Sequence, residues 1–311
     1  MKFEVPASAI TSGNAVIAVT KGETVVWSWH LWFAPQDVLH TTAVTNHEGY
    51  VYNFSNETLG FKYTHWIGTV YSVPRSVKVK VAQTSGGSMK KEGIITITQK
   101  SGNERSGYST LYQWGRKDAF PGTDDIPEGS FNKNGGDNMS LANGIKHPDT
   151  FYAGTTGFRI HPNLWTMKFP ATIDEYYGGD FHAVKTIYDP CPVGFTIPGQ
   201  SAFSSFTRGK KYVTLEDADA RQLGIRCEWE YGWIFDNKED NPDATIYFPA
   251  IGSRVGDGKR PGRLVKGGKR SLNKYWYCIN VGHSGSFDGF VLWYNYGIDK
   301  CEGCAIRPIA E

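Results

Sequence analysis

Apolar and polar positions alternate most clearly near the start of the chain. Asn14 to Val19 (NAVIAV) and Thr24 to Phe33 (TVVWSWHLWF) read as strands joined by a turn at Lys21-Gly22. In the second, Val26, Ser28, His30 and Trp32 share one face, and Val25, Trp27, Trp29, Leu31 and Phe33 share the other. The latter face is strongly apolar, so this strand is expected at a buried sheet edge or centre. Farther on, Ser76 to Ala82 (SVKVKVA) and Gly93 to Thr98 (GIITIT) flank a Gly- and Ser-rich loop. The Val/Lys alternation implies one wet face, and 66–99 reads as an inserted hairpin standing off the main sheet. Helical patterning is scarce. Ser140 to Lys146, stopped by Pro148, predicts a short helix, and Thr214 to Leu223 predicts another, with Thr214 and Asp217 at its start and Gly224 at its end. Near the C-terminus, strands are predicted at Tyr275 to Asn280 and Phe290 to Tyr296 around a Gly/Ser-rich turn, with a last strand at Ala305 to Ile309.

Composition strengthens the picture of many short strands. The chain of 311 residues has 36 Gly, 15 Pro, 17 Tyr, 17 Phe and 10 Trp but only 4 Met, which suits turns and rigid aromatic anchors better than long helices. It is long enough for one large domain, and with no internal repeat, 1–311 reads as a single elaborated domain. A formal charge of +2 with no basic run argues against nucleic acid as a partner. No segment approaches the ~20 apolar residues of a membrane-spanning helix. Met1 leads directly into the polar KFEVPAS, so a signal or anchor is expected upstream of this sequence. Five cysteines, Cys191, Cys227, Cys278, Cys301 and Cys304, cannot all pair within the chain.

Six strings occur in an order that resembles a family of secreted proteins of Gram-negative gut anaerobes related to fimbrillin-associated tip proteins. They are GNAVIAV (Gly13 to Val19), WSWHLW (Trp27 to Trp32), YQWGRKDAF (Tyr112 to Phe120), DPCPVGFTIP (Asp189 to Pro198), FPAIGSR (Phe248 to Arg254) and GCAIRPIAE (Gly303 to Glu311). The resemblance implies an α+β, C-type-lectin-like fold: twisted antiparallel sheets with few short helices and long loops. It also implies a secreted protein at the cell surface or outer membrane. Physically, the prolines of DPCPVGFTIP make a rigid bend leading into a short strand, while WSWHLW and YQWGRKDAF offer large rings as core anchors.

The segment from Lys274 onward differs in character, because aromatics interleave there with small and hydrogen-bonding residues, as in antibody paratopes. It resembles the variable segment of retroelement-diversified surface proteins, which end in an Ile/Val-Arg-Pro-Ile/Val string, here Ile306, Arg307, Pro308 and Ile309. Adenine-directed mutagenesis does not produce Trp, Lys, Glu, Met or Gln from Asn-type codons. Between Tyr277 and Cys304 only Trp293, Lys300 and Glu302 are of those types, against about five or six expected from average usage. Diversification would also account for Cys278, Cys301 and Cys304.

The expected function is therefore non-catalytic binding of a protein or glycan by a surface adhesin or pilus-tip receptor. The expected contacts are Tyr277, Ile279, Val281, His283, Phe287, Asp288, Val291, Trp293, Asn295 and Ile298; Tyr275, Trp276, Leu292, Tyr294 and Ile306 are assigned to the core. The alternatives are a structural fimbrial subunit, whose partners are other subunits, and an oxidase of the formylglycine-generating type. For the oxidase, Cys301 and Cys304 lie too close together in sequence, and Gly267-Gly268-Lys269-Arg270-Ser271 only loosely echoes its core string. No cofactor or metal is expected. Trp293-Tyr294-Asn295 and Pro35-Gln36-Asp37 fall short of lectin calcium motifs, the Asp236 to Asp243 loop matches no regular calcium loop, and Cys301-x-x-Cys304 lacks a second ligand pair for zinc. Elbow, zincin and phosphate-loop motifs are missing from the sequence, and His30, His65, His161 and His182 read as structural histidines.

Overall fold

A computed structural model describes residues 3–66, 75–87, 91–99, 105–154, 162–168, 181–206, 213–214, 225–228, 232–267, 273–276, 283–287, 291–297 and 299–311. The first hairpin joins strands Gly13–Lys21 and Thr24–Phe33 through Gly22, whose φ of 61° requires the left-handed region glycine adopts without strain. Among the described residues the two strands pair only with each other, so the second is not part of a larger buried sheet there, as its apolar face suggests it would be. Its one fully buried residue is Ser28, on the polar face, whereas Trp29 on the apolar face is 42 % exposed. The physical reason lies in the partners. Ser28 Oγ donates to Asp118 Oδ1 (3.1 Å) and accepts from Lys117 Nζ, and Trp32 Nε1 donates to the Phe61 carbonyl (3.2 Å). Polar groups satisfied by the body of the protein are buried at little cost, and counting apolar residues cannot reveal this.

His30 completes the attachment. The Asn14 amide nitrogen donates to the Gly60 carbonyl (2.8 Å), which turns the Asn14 oxygen toward His30 Nε2 (2.9 Å). Nε2 therefore carries the proton, and Nδ1 accepts from the Tyr112 hydroxyl (2.9 Å). Desolvation lowers the His30 pKa to about 4. A group that stays neutral when folded but protonates at about 6.5 when unfolded makes the unfolded chain bind more protons between those values. Stability should accordingly fall as pH drops from about 6.5 toward 4. In an NMR titration the His30 ring protons should move only below about pH 5; a midpoint near 6.5 would contradict the network.

The remaining strands form short antiparallel sheets. One of five strands runs in the order Phe120–Pro121, Thr110–Gln113, Gly303–Cys304, Ser253–Arg254, Leu264–Val265, and one of four in the order Phe195–Thr196, Ile309–Ala310, Val51–Ser55, Thr41–Thr45. Ile225–Glu228, Gly232–Asp236 and Thr245–Pro249 make a third sheet, and Lys62–Trp66 pairs with Arg105–Tyr108. The chain is thus mostly antiparallel β-structure with very few helices. The helix predicted near 140 spans Leu141–Lys146 and is capped by Ser140 Oγ, which accepts from the Asn143 amide (3.1 Å). Val213–Thr214 is a strand paired with Leu292 and Val291, and the helix predicted from Thr214 to Leu223 falls on 215–224, outside the described residues. Strands Arg75–Ala82 and Glu92–Gln99 form the predicted hairpin, but both of its faces are exposed rather than one.

One contiguous apolar core joins these sheets. Phe54 lies 5.5 to 6.0 Å from the ring centroids of Phe203, Phe206 and Phe248, and Trp114 packs on Trp165 at 5.1 Å. Each such ring contributes about 1.5–3 kcal/mol by leaving water. The string DPCPVGFTIP forms the expected bend into a strand, yet its organiser is Asp189. This buried carboxylate accepts from the amides of Cys191 (2.8 Å) and Ile197 (3.2 Å) and from the Thr196 hydroxyl (2.8 Å).

Candidate functional site

The C-terminal segment builds a four-stranded sheet in the order Val213–Thr214, Val291–Gly297, His283–Phe287, Asn273–Trp276. His283–Phe287 (HSGSF), which reads as a turn in sequence, is one of its two inner strands. Pairing on both sides overrides the poor strand preference of Gly and Ser. The predicted last strand is also divided. Gly303–Cys304 joins the five-stranded sheet and Ile309–Ala310 the four-stranded one that holds Val51–Ser55; between them Ala305 bridges Tyr275, and the Ile306 and Pro308 carbonyls accept from the amides of Leu59 and Ser55.

Tyr275 fixes the sheet to the core. It is fully buried, and its hydroxyl donates to the Pro249 carbonyl (2.8 Å) and accepts from Thr58 Oγ1 (3.3 Å), which in turn accepts from Arg307 Nη1 (3.3 Å). Arg307, 1 % exposed, also donates to the carbonyls of Ser55 (2.7 Å), Asn56 (2.6 Å) and Tyr247 (3.0 Å) and lies 5.0 Å from the centre of the Phe248 ring. The planar guanidinium thus ties Arg307 to the end of strand Val51–Ser55, to strand Thr245–Pro249 and, through Thr58, to the floor of the sheet. Burial raises the Tyr275 phenol well above its ordinary range, so it remains a neutral donor. The core assignments of Tyr275 and Ile306 hold, since both are fully buried.

The ladder then orders the predicted contact positions. Tyr275 lies opposite Gly285, and Asn273 opposite Phe287, so His283 and Phe287 share the alternation of Tyr275. Lys274 lies opposite Ser286 and Ser286 opposite Trp293, which puts Val291 and Trp293 in the other alternation. Asn295 occupies the irregular stretch where the register shifts, between Trp293 and Tyr296. Tyr277, Ile279, Val281, Asp288 and Ile298 lie outside the described residues.

No family model, curated protein or solved structure matches this chain. The reading of the site therefore rests on its own geometry.

The cysteine pair near the C-terminus has a structural setting. Cys301 is fully buried, and its thiol lies 3.2 Å from the Gly256 carbonyl and 3.8 Å from that of Gly154. Desolvation raises its pKa to about 11, which keeps the sulfur protonated and a poor nucleophile at neutral pH. Cys304 pairs through its backbone with Tyr112. Among the described residues, no three His, Cys, Asp or Glu side chains gather as a metal site. The Asp236 to Asp243 loop is closed by its own groups: Asn237 donates to Asp243 Oδ1 (2.8 Å) and accepts from the amides of Asp243 and Ala244 (3.2 and 3.1 Å), and Lys238 pairs with Asp243 (2.6 Å).

Several polar residues inside the recurrent strings were invisible as sequence signals yet hold the scaffold beneath this sheet. Gln113 donates to the carbonyls of Tyr152 and Cys301 and accepts from Arg116 (2.9 Å) and the Tyr152 amide (3.2 Å). Arg254, fully buried, donates to the carbonyls of Pro121, Thr123 and Gly262 and to Asp124 Oδ1. Both satisfy loop carbonyls that would otherwise be buried alone. A cleft of about 940 Å³ follows Thr24–Phe33, with Trp27, Trp29, Lys117, Ile187 and Val193 among its lining residues.

Proposed function

We propose that this chain is a non-catalytic binding module of the C-type-lectin-like class, displayed at the cell surface, that recognises a protein or glycan through its C-terminal sheet. The observation that carries the reading is the asymmetry of that sheet. Tyr275 and the Arg307–Thr58 relay bind one alternation to the core, which leaves Lys274, Ser284, Ser286, Val291 and Trp293 on the other. A rigid platform presenting small polar groups beside an aromatic suits recognition, because little conformational entropy is lost on contact. It also tolerates substitution on the outer alternation, as a diversified surface requires. The protonated, enclosed thiol of Cys301 weighs against the oxidase alternative.

The fimbrial-subunit reading draws on a different feature, the outer edge of Thr24–Phe33 beside its cleft, which no strand among the described residues pairs.

Replacement of Ser286, Val291 and Trp293 together by Ala should abolish binding of a ligand selected on glycan and protein arrays, while Tm moves by less than about 3 °C. Retained binding, or a collapse in Tm, would place the contact surface elsewhere.

A further inference from the structure

Among the described residues, the hairpin of Arg75–Ala82 and Glu92–Gln99 is a two-stranded sheet of its own, with no strand paired on either outer edge. Val77 lies opposite Ile97 and Val79 opposite Ile95, with Val81 next in the same alternation. These five β-branched side chains form one stripe and are 38 to 61 % exposed. The other side carries Lys78, Lys80 paired with Glu92 (2.7 Å), and the hydroxyl pair Ser76 and Thr98 (3.0 Å). Six basic residues and one acid fall between Arg75 and Lys100, a net charge of +5; since the whole chain carries +2, the remainder is negative.

An apolar stripe on a hairpin that carries this much positive charge selects what can cover it. A second copy would set +5 against +5, and the stripe, on the order of a few hundred Å², falls short of the ~800 Å² per partner of a stable dimer. Protein interfaces concentrate their energy in Trp, Tyr and Arg, with Lys depleted and Val under-represented. The stretch from Arg75 to Lys100 contains no aromatic residue and is built from Val, Ile, Thr, Ser and Lys. We infer that the hairpin docks on an anionic lipid bilayer, lying flat in the interface with its Val/Ile stripe against the acyl boundary and its lysines at the phosphates. Apolar burial and electrostatic attraction add in such a geometry, each basic residue near the surface giving about fivefold in affinity. Lysine stems reach sideways to the headgroups, and the open edges remain in the hydrated headgroup layer, because hydrocarbon would leave them unsatisfied.

The test uses the full chain, sedimented with vesicles of phosphatidylcholine alone or with one third phosphatidylglycerol. Binding to the anionic vesicles should exceed that to neutral ones by at least about tenfold and fall with added salt. Val79→Asn with Ile95→Asn should weaken it by about tenfold or more, and Lys78→Glu with Lys80→Glu should remove the preference for anionic lipid. All four positions are exposed, so Tm should hold in both variants. A wild-type chain that stays in the supernatant, variants that bind like wild type, or a dimer in solution that Val79→Asn with Ile95→Asn dissolves would each overturn the assignment.

Discussion

Asp118→Ala is expected to cost about 3–5 kcal/mol, and to release the first hairpin before the rest of the fold. The Asp118 carboxylate, 4 % exposed, accepts from Arg116 Nε (3.1 Å) and Nη2 (2.7 Å), from Lys117 Nζ (2.7 Å) and from Ser28 Oγ (3.1 Å). Both cations are themselves buried, and Lys117 lies 4.7 Å from the centre of the Trp27 ring. Removing the anion leaves two positive charges side by side away from water, where the lost pairing is far more costly than a surface ion pair. The same change cuts the tether through Ser28, so hydrogen exchange should accelerate across 13–33 more than elsewhere. Asp118→Asn, which keeps one acceptor oxygen, should fall between the two. A loss below about 1 kcal/mol, or acceleration spread evenly over the chain, would show that the cluster does not hold the hairpin.

Arg307→Ala should be of similar size, with Tm lowered by roughly 5–10 °C. Three carbonyls and the Thr58 hydroxyl lose their donor at once, and each buried acceptor left alone costs about 1–3 kcal/mol before relaxation. Arg307→Lys retains the charge but cannot reproduce the planar fork, so it should recover less than half of the loss. If the relay through Thr58 steadies the C-terminal sheet, Arg307→Lys should also weaken ligand binding, although Arg307 lies beneath the sheet on the Tyr275 side. A lysine variant that matches wild type in Tm would reduce Arg307 to an ordinary buried charge.

The sequence disclosed strands wherever alternation was sharp. Gly13–Lys21, Thr24–Phe33, Arg75–Ala82 and Glu92–Gln99 all stand where periodicity put them. It misjudged which face of the first hairpin docks, because Ser28 and His30 become compatible with burial only through Asp118, Lys117 and Tyr112, which are distant in sequence. His283–Phe287 was hidden by its composition, and the division of the last strand by the absence of any local sign that Arg307 would reach toward Ser55 and Asn56. In the candidate site, the existence of two aromatic strands was legible, while the facing of each position depended on pairing register. Of the strings that suggested aromatic anchors, YQWGRKDAF supplies Tyr112, Trp114 and Phe120 to the interior, but its Gln113 and Arg116, with Arg254 of FPAIGSR, are what close the loops.

The placement of Ile309–Ala310 between Phe195–Thr196 and Val51–Ser55 has a kinetic consequence. Contacts spanning some 250 residues must close around this segment, so a nascent polypeptide lacks one of the two inner strands of that sheet until synthesis reaches Ile309–Ala310. Folding of this topology should be slow, with a long interval in which chaperones can engage the unfinished chain.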